Sequence, residues 1–378
     1  MEPVCISRVS CARVVKTAGR APGSSANATD VVFADLPHPG IAFHPRADPP
    51  PQYRLQLRPM QIPPAAPHAQ WWIQDATTMP GDAIALALTG QTVGGGAVAT
   101  VRGGNITLQA FPTPVPVPTT SAYAAELPTA ARNYVRPVTP TRIVSDSGGT
   151  IWLNDSIQPV VYAMHGSVTS SRKLGDVKLR RGSNSVGLAF AGRLWYSSIE
   201  PAPRIASVDG TRSFDLPSQV GPIRMLRTGS DGQLWFANEK VYGRMSLDGK
   251  FSLWPFPAPQ GWRTYPEPVF VAGLAHTMWL AAGASIWKIT DGVIARQYHL
   301  PDRILGVRTL AQQCDGSLLV APDDAQLLRI ATSGAIEQYD IPYQQIDALL
   351  RGADCKMWFA AGTNSPQQFT GTLSLAPR

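Results

Sequence analysis

The feature that most constrains this chain is an internal repeat. Six short apolar triplets occur: Ile151-Trp152-Leu153, Leu194-Trp195-Tyr196, Leu234-Trp235-Phe236, Met278-Trp279-Leu280, Leu318-Leu319-Val320 and Met357-Trp358-Phe359. Their centres are spaced 43, 40, 44, 40 and 39 residues apart. Most follow a turn, Ser147-Gly148-Gly149, Ala191-Gly192, Asp231-Gly232 or Asp315-Gly316, where glycine supplies the positive φ of a tight hairpin. After each triplet come a short polar loop, another strand-like run such as Val241 to Leu247, and a second turn such as Asp248-Gly249. An alternating run ending on proline, as in Tyr339-Asp340-Ile341-Pro342, completes the unit; proline ends a strand because it has no N–H to donate. Four hairpin-linked strands per ~40 residues describe one blade of a β-propeller.

A further copy lies upstream, where residues 98–112 match the third strand, turn and fourth strand of the other units, behind Ala83 to Thr89 as second strand and Trp71 to Asp75 as first. The fold class is therefore all-β, a seven-bladed propeller of four-stranded blades. Phe369 to Leu375 aligns with a third strand and the sequence ends at Arg378, so the last blade lacks its fourth. Residues 52–59, which alternate like the other fourth strands, are predicted to supply it and close the ring, removing an exposed edge. The domain reading is a disordered or loosely packed tail over residues 1–48, without period 2 or 3.6, and a propeller over 49–378. Residues 113–140 form an insertion, too long for an ordinary connection.

Charge and cysteine narrow the function classes. The formal charge is +7, from 33 Lys and Arg against 26 Asp and Glu, with +3 of it before residue 60, and the remainder makes no stripe of the kind a nucleic-acid binder shows. No apolar run approaches the ~20 residues of a membrane span. The four cysteines form no C-x-x-C pair, so a structural zinc site is not expected. Cys314 and Cys355 fall in corresponding first turns of neighbouring blades and are expected as free thiols in a reducing compartment. The N-terminal residues carry no apolar signal stretch, which predicts a cytoplasmic protein, or a secreted or periplasmic one if the start site is misassigned.

The blade sequence Asp231-Gly232-Gln233-Leu234-Trp235-Phe236, then Tyr242-Gly243-Arg244-Met245, Asp248-Gly249 and Phe256-Pro257, resembles the streptogramin lyase (virginiamycin B lyase) family. Similar pieces cover 142–378, with weaker ones from about residue 80. The resemblance implies a propeller and, for the family's enzymes, Mg²⁺-assisted elimination that opens a cyclic depsipeptide by means of a His/Glu cluster with E-x-H and E-x-x-H spacings. A base takes an α-proton while a hard cation stabilises the enolate-like charge. Neither spacing exists here. Where the family often ends its second strand on W-F-T-E, the matching positions are Asp155, Ser198, Asn238, Ala282, Pro322 and Ala361.

Candidate ligand residues are expected on the face that receives the loops after second and fourth strands. The link after the second repeat contributes Arg180 and Arg181, and the connection from Pro257 to Pro268 contributes Trp262, Arg263 and Tyr265. Aromatics and guanidinium groups on a concave face suit a sugar, peptide or anion; as plain structure they are loop anchors and solvated charges. Asn154, Asp155, Asn238, Glu239, Asp323 and Asp324 occupy equivalent loops; no metal site is assigned to them, since isolated loop carboxylates are ordinarily solvated. These residues read as a non-catalytic binding scaffold for a small molecule, glycan or peptide. The alternatives are a divergent Mg²⁺-dependent carbon–oxygen lyase relying on Asp155 or Glu239, and an RNA-binding propeller using Arg132, Arg136, Arg180 and Arg181. No cofactor is expected, Mg²⁺ entering only with the lyase reading. The expected partner is a small-molecule, glycan or protein ligand, without nucleic acid or membrane, for a monomer.

Overall fold

The computed structural model describes residues 53–64, 71–90, 96–111, 138–155, 159–174, 187–198, 202–223, 225–238, 240–257, 268–362 and 367–377, and the backbone alone of 32–33, 115–116, 135–136 and 168. These residues form seven antiparallel four-stranded blades in a ring. Blades 1 to 6 follow chain order over 71–110, 140–173, 188–215, 225–255, 269–299 and 307–340. Blade 7 takes Gln345–Arg351, Met357–Gly362 and Gln368–Pro377, and its outermost strand is Tyr53–Ile62. That strand runs antiparallel to the C-terminal one over its whole length, from Tyr53 opposite Pro377 to Ile62 opposite Gln368. The expected closure is thus present, three residues longer at its C-terminal end than residues 52–59. The first strands of successive blades neighbour one another all the way round, blade 7 against blade 1 included.

Within the segment read as a tail, only Val32–Phe33 is described, pairing parallel with the outer strand Phe251–Pro255 of blade 4. Within the insertion, Val115–Pro116 pairs with Val135–Arg136. The rest of both segments lies outside the described residues.

The turn sequence explains the triplet. Asp231 accepts the Gln233 N–H at 3.1 Å and the Trp235 indole N–H at 3.0 Å, while Gly232 holds φ +72°. Asp146 does the same in blade 2, accepting from Gly148, Thr150 and the Trp152 indole. One carboxylate therefore ties the hairpin and satisfies a polar atom that burial of the ring would otherwise strand. Trp195, Trp235 and Phe236 are fully buried, each stabilising the fold by about 2–3 kcal/mol relative to exposure.

The core is divided. Among the described residues there are seven apolar clusters, one between each pair of adjacent blades. Hydrogen bonds cross the same seams. Gln312 of blade 6 accepts from Leu274 N–H and the Trp279 indole of blade 5, and Arg351 of blade 7 donates to the Gln312 carbonyl at 3.0 Å. Thr309 accepts the Leu349 N–H, joining blades 6 and 7 again.

The cysteine expectation is corrected. Cys314 and Cys355 form a disulfide between the first turns of blades 6 and 7, their Cα atoms 5.6 Å apart. The repeat itself sets this geometry: equivalent turns of adjacent blades come side by side, within the separation a disulfide spans.

Candidate ligand site at the mouth of the axial channel

Ring closure leaves an axial channel lined by the first strands, and among the described residues four blades interrupt those strands with a bulge at the same level. In blades 1, 6 and 7 the extra residues are Gln74, Arg308 and Asp347. In blade 2 the pair Thr141 and Arg142 faces Asn154 alone. A bulge adds one residue and re-aims a side chain that the regular pleat would direct elsewhere. All four of Gln74, Arg142, Arg308 and Asp347 line one cavity of about 240 Å³ in the upper channel, with Asp75 and Arg227. Gln74, Arg308 and Asp347 also line a wider cavity of about 490 Å³ above it. Its remaining walls include Trp71, Trp72, Gln344, Gln345 and Gln368, and Trp72 is 52 % exposed.

Arg308 lies 3.2 Å from Asp323 and 3.5 Å from Asp347, and Gln345 donates to Asp347 at 2.7 Å. Burial pushes the Asp347 carboxyl up to about 6; Arg308 and the Gln345 bond oppose the rise, and Asp323 adds to it. Its protonation state therefore changes near pH 6. Across the channel Arg227 pairs with Asp75 at 3.5 Å. Burial pulls Arg227 below the usual arginine range, Asp75 opposes this and Arg142 adds to it.

The residues named from sequence fall in three groups. Asp323 belongs to this site through Arg308. Its neighbour Asp324 is raised by burial, against the pull of Arg303, with Asp323 adding to the rise, and one buried carboxylate oxygen of Asp324 has no hydrogen-bond partner. Asn154, Asp155 and Asn238 are buried. Asn154 Oδ1 accepts the Arg142 N–H at 2.7 Å and the Thr141 N–H at 3.4 Å, satisfying the two amides that the bulge frees. Asn238 donates to the Val220 and Pro222 carbonyls and accepts from the Lys240 and Val241 N–H groups, which occupies all four hydrogen-bonding positions of its amide. Arg180, Arg181, Glu239, Trp262, Arg263 and Tyr265 lie outside the described residues, as does Arg132, and only the backbone of Arg136 is described. Among the described residues no three His, Cys, Asp or Glu side chains are grouped to hold a metal ion, and no helix is long and apolar enough to cross a membrane.

Gln74, Asp75, Arg142, Arg227, Arg308 and Asp347 are not among the residues expected from sequence, which lie in the loops after second and fourth strands. A signal for them existed: a charged or amide residue near the start of the apolar run that precedes the first turn. In a propeller that run faces the channel, so such a residue costs desolvation unless it is paired or used.

Solved structures share this architecture. Selenomethionine-substituted virginiamycin B lyase from Staphylococcus aureus superposes with a TM-score of 0.61 at 16% identity, over 85% of this chain and 99% of that one. A streptogramin B lyase structure gives 0.60 at 17%, over 85% and 98%. The WD40 β-propeller domain of Doa1 gives 0.56 at 10%, over 85% and 97%. The likeness is one of fold. No protein-family model matches the chain, and no curated protein matches it in sequence.

Proposed function

We propose that this propeller is a non-catalytic binding scaffold and that its ligand is a glycan seated in the channel-mouth cavity on the loop-rich face. The observation that carries the reading is the composition of that wall: one half-exposed indole, Trp72, beside the amides of Gln74, Gln344, Gln345 and Gln368 and the Arg308–Asp347 pair. A sugar ring offers an apolar C–H face to an aromatic plane and a rim of hydroxyls that both donate and accept. Amides answer both roles, a guanidinium donates, and a carboxylate accepts. The volume of about 490 Å³ lies in the range of small-ligand sites, about 300–1,000 Å³. The Cys314–Cys355 bridge supports an oxidising compartment, where free and surface glycans are met.

A glycan array probed with the purified protein tests the reading, followed by calorimetric titration of the retained sugar against wild type and Trp72→Ala. Retention of a sugar whose affinity falls by about tenfold in the variant, about 1.4 kcal/mol, supports it. An array without retained sugar, or an affinity unmoved by the substitution, overturns it. Incubation with a type B streptogramin and Mg²⁺ tests the non-catalytic part: a ring-opened product absent in EDTA overturns that part in favour of the lyase reading, which the shared fold makes the natural competitor.

A further inference from the structure

The lower half of the channel, nearest the first hairpin turns, holds a second cavity of about 280 Å³, which shares Arg227 with the one above it. Among the described residues two guanidinium groups line it, Arg227 and Arg351, and no carboxylate does. Arg227 already has Asp75 beside it at 3.5 Å, in the upper cavity. Arg351 has no carboxylate within ion-pair distance among the described residues; its bond is to the Gln312 carbonyl at 3.0 Å. The hydroxyl-bearing Thr77, Thr78 and Thr228 share the cavity, between apolar walls that include Ile143 and Leu310. Apolar walls lower the local dielectric and strengthen the attraction between a guanidinium and an anion.

We infer that this cavity is a binding site for a compact dianionic oxyanion, of the phosphate or short dicarboxylate class. Arg351 supplies the uncompensated charge and a forked donor set, Arg227 a second guanidinium and Thr78 a hydroxyl donor; the Thr228 and Thr77 hydroxyls already donate to the Phe190 and Thr78 carbonyls. The cavity holds such an ion with a few waters, each of which takes roughly 30 Å³. The site is preformed, because the Cys314–Cys355 bridge joins the turns that follow Gln312 and Arg351, which fixes the strand ends carrying the pair. It does not depend on the glycan reading, since Arg351 and the threonines take no part in the upper cavities.

The experiment is calorimetric titration of the intact protein, in chloride-free buffer, with inorganic phosphate and separately with succinate. Saturable binding of one equivalent of either anion is expected, and the stronger arm identifies the source class. Arg351→Gln, which keeps a donor for the Gln312 carbonyl and deletes the charge, should weaken that binding by about tenfold or more, while Arg351→Lys weakens it less. A second measurement uses wild type alone: modification of Arg351 by phenylglyoxal, followed by peptide mass spectrometry, should slow when the anion is present. Absence of saturable binding at millimolar concentrations of both anions overturns the inference. So does binding that Arg351→Gln leaves unchanged, or labelling of Arg351 that the bound anion does not slow.

Discussion

The guanidinium of Arg329 lies 4.5 Å from the centre of the Tyr53 ring. Tyr53 opens the strand that closes blade 7, and Arg329 belongs to the third strand of blade 6. Arg329 is itself held by Glu337 and Asp315, each at 3.2 Å, and Tyr339 donates to Glu337 at 2.7 Å. The N-terminal strand therefore gains more than its ladder with the C-terminal strand. It docks an aromatic face onto a cation that blade 6 has already oriented, so the seam between blades 6 and 7 is fastened by the residue that arrives from the far end of the chain.

This relationship predicts the effect of trimming the ring. Tyr53→Ala should lower stability by about 1–3 kcal/mol, from the lost cation–π contact and the lost apolar area. Tyr53→Phe keeps the ring and should stay within about 0.5 kcal/mol of wild type. Urea denaturation of the three proteins checks it, and equal midpoints for wild type and Tyr53→Ala would remove the latch.

The disulfide makes a second prediction. Cys314 and Cys355 are separated by 41 residues, and cross-linking a loop of that size stabilises by about 3–4 kcal/mol on the chain-entropy account. A reductant should lower the denaturation midpoint of wild type and leave a Cys314→Ser, Cys355→Ser double variant unchanged. Alkylation of unreduced, denatured protein followed by peptide mapping should leave both residues unlabelled. Labelling of either without reductant would show that the bridge does not form.

The repeat made the fold legible because its markers are local. A turn Asp-Gly, an apolar triplet and a terminal proline each have a backbone reason to sit where they do, and the seven-blade count and the missing fourth strand follow from their spacing. The candidate site was less legible because it is built by bulges. Arg308 and Asp347 would sit elsewhere on the pleat without the extra residue that re-aims each, and nothing in Val307-Arg308-Thr309 or Ile346-Asp347-Ala348 marks a bulge in advance. Asn154 shows the converse: a polar residue at a loop-facing strand end, read as a candidate ligand, has its carbonyl oxygen turned to the freed amides of Thr141 and Arg142. The disulfide lies between these cases: the repeat marks the two turns as equivalent, while no local residue marks the pair as oxidised.

Asn154 yields a third prediction. Asn154→Ala leaves the buried Arg142 and Thr141 N–H groups without their acceptor, which should cost about 2 kcal/mol. Asn154→Asp keeps an oxygen at the same place and should restore part of it. Because Arg142 lines the upper channel, loss of the bulge should also alter ligand affinity there. Chemical denaturation of the two variants tests the first part, and an alanine variant as stable as wild type would mean that the bulge is held by other contacts.

Asp347 gives the fourth prediction, with a sign that distinguishes it from most carboxylates. Burial raises its folded-state value from 3.8 to about 6, so between those values the folded protein binds more protons at this group than the unfolded chain does. Stability from this residue is therefore greatest below about pH 4, falls as pH rises through about 6, and is flat above it, a change of up to about 3 kcal/mol. Asp347→Asn cannot titrate and should lack this slope, so its advantage over wild type should grow as pH rises from 4 to 7. Arg308 opposes the rise, so Arg308→Gln should move the titration to still higher pH, readable from the side-chain carboxyl carbon by NMR. Parallel stability profiles for wild type and Asp347→Asn would mean that water or a counterion relieves the burial of the carboxylate. In that case the channel mouth would carry a permanent charge across the physiological range, and ligand binding there would show no inflection near pH 6.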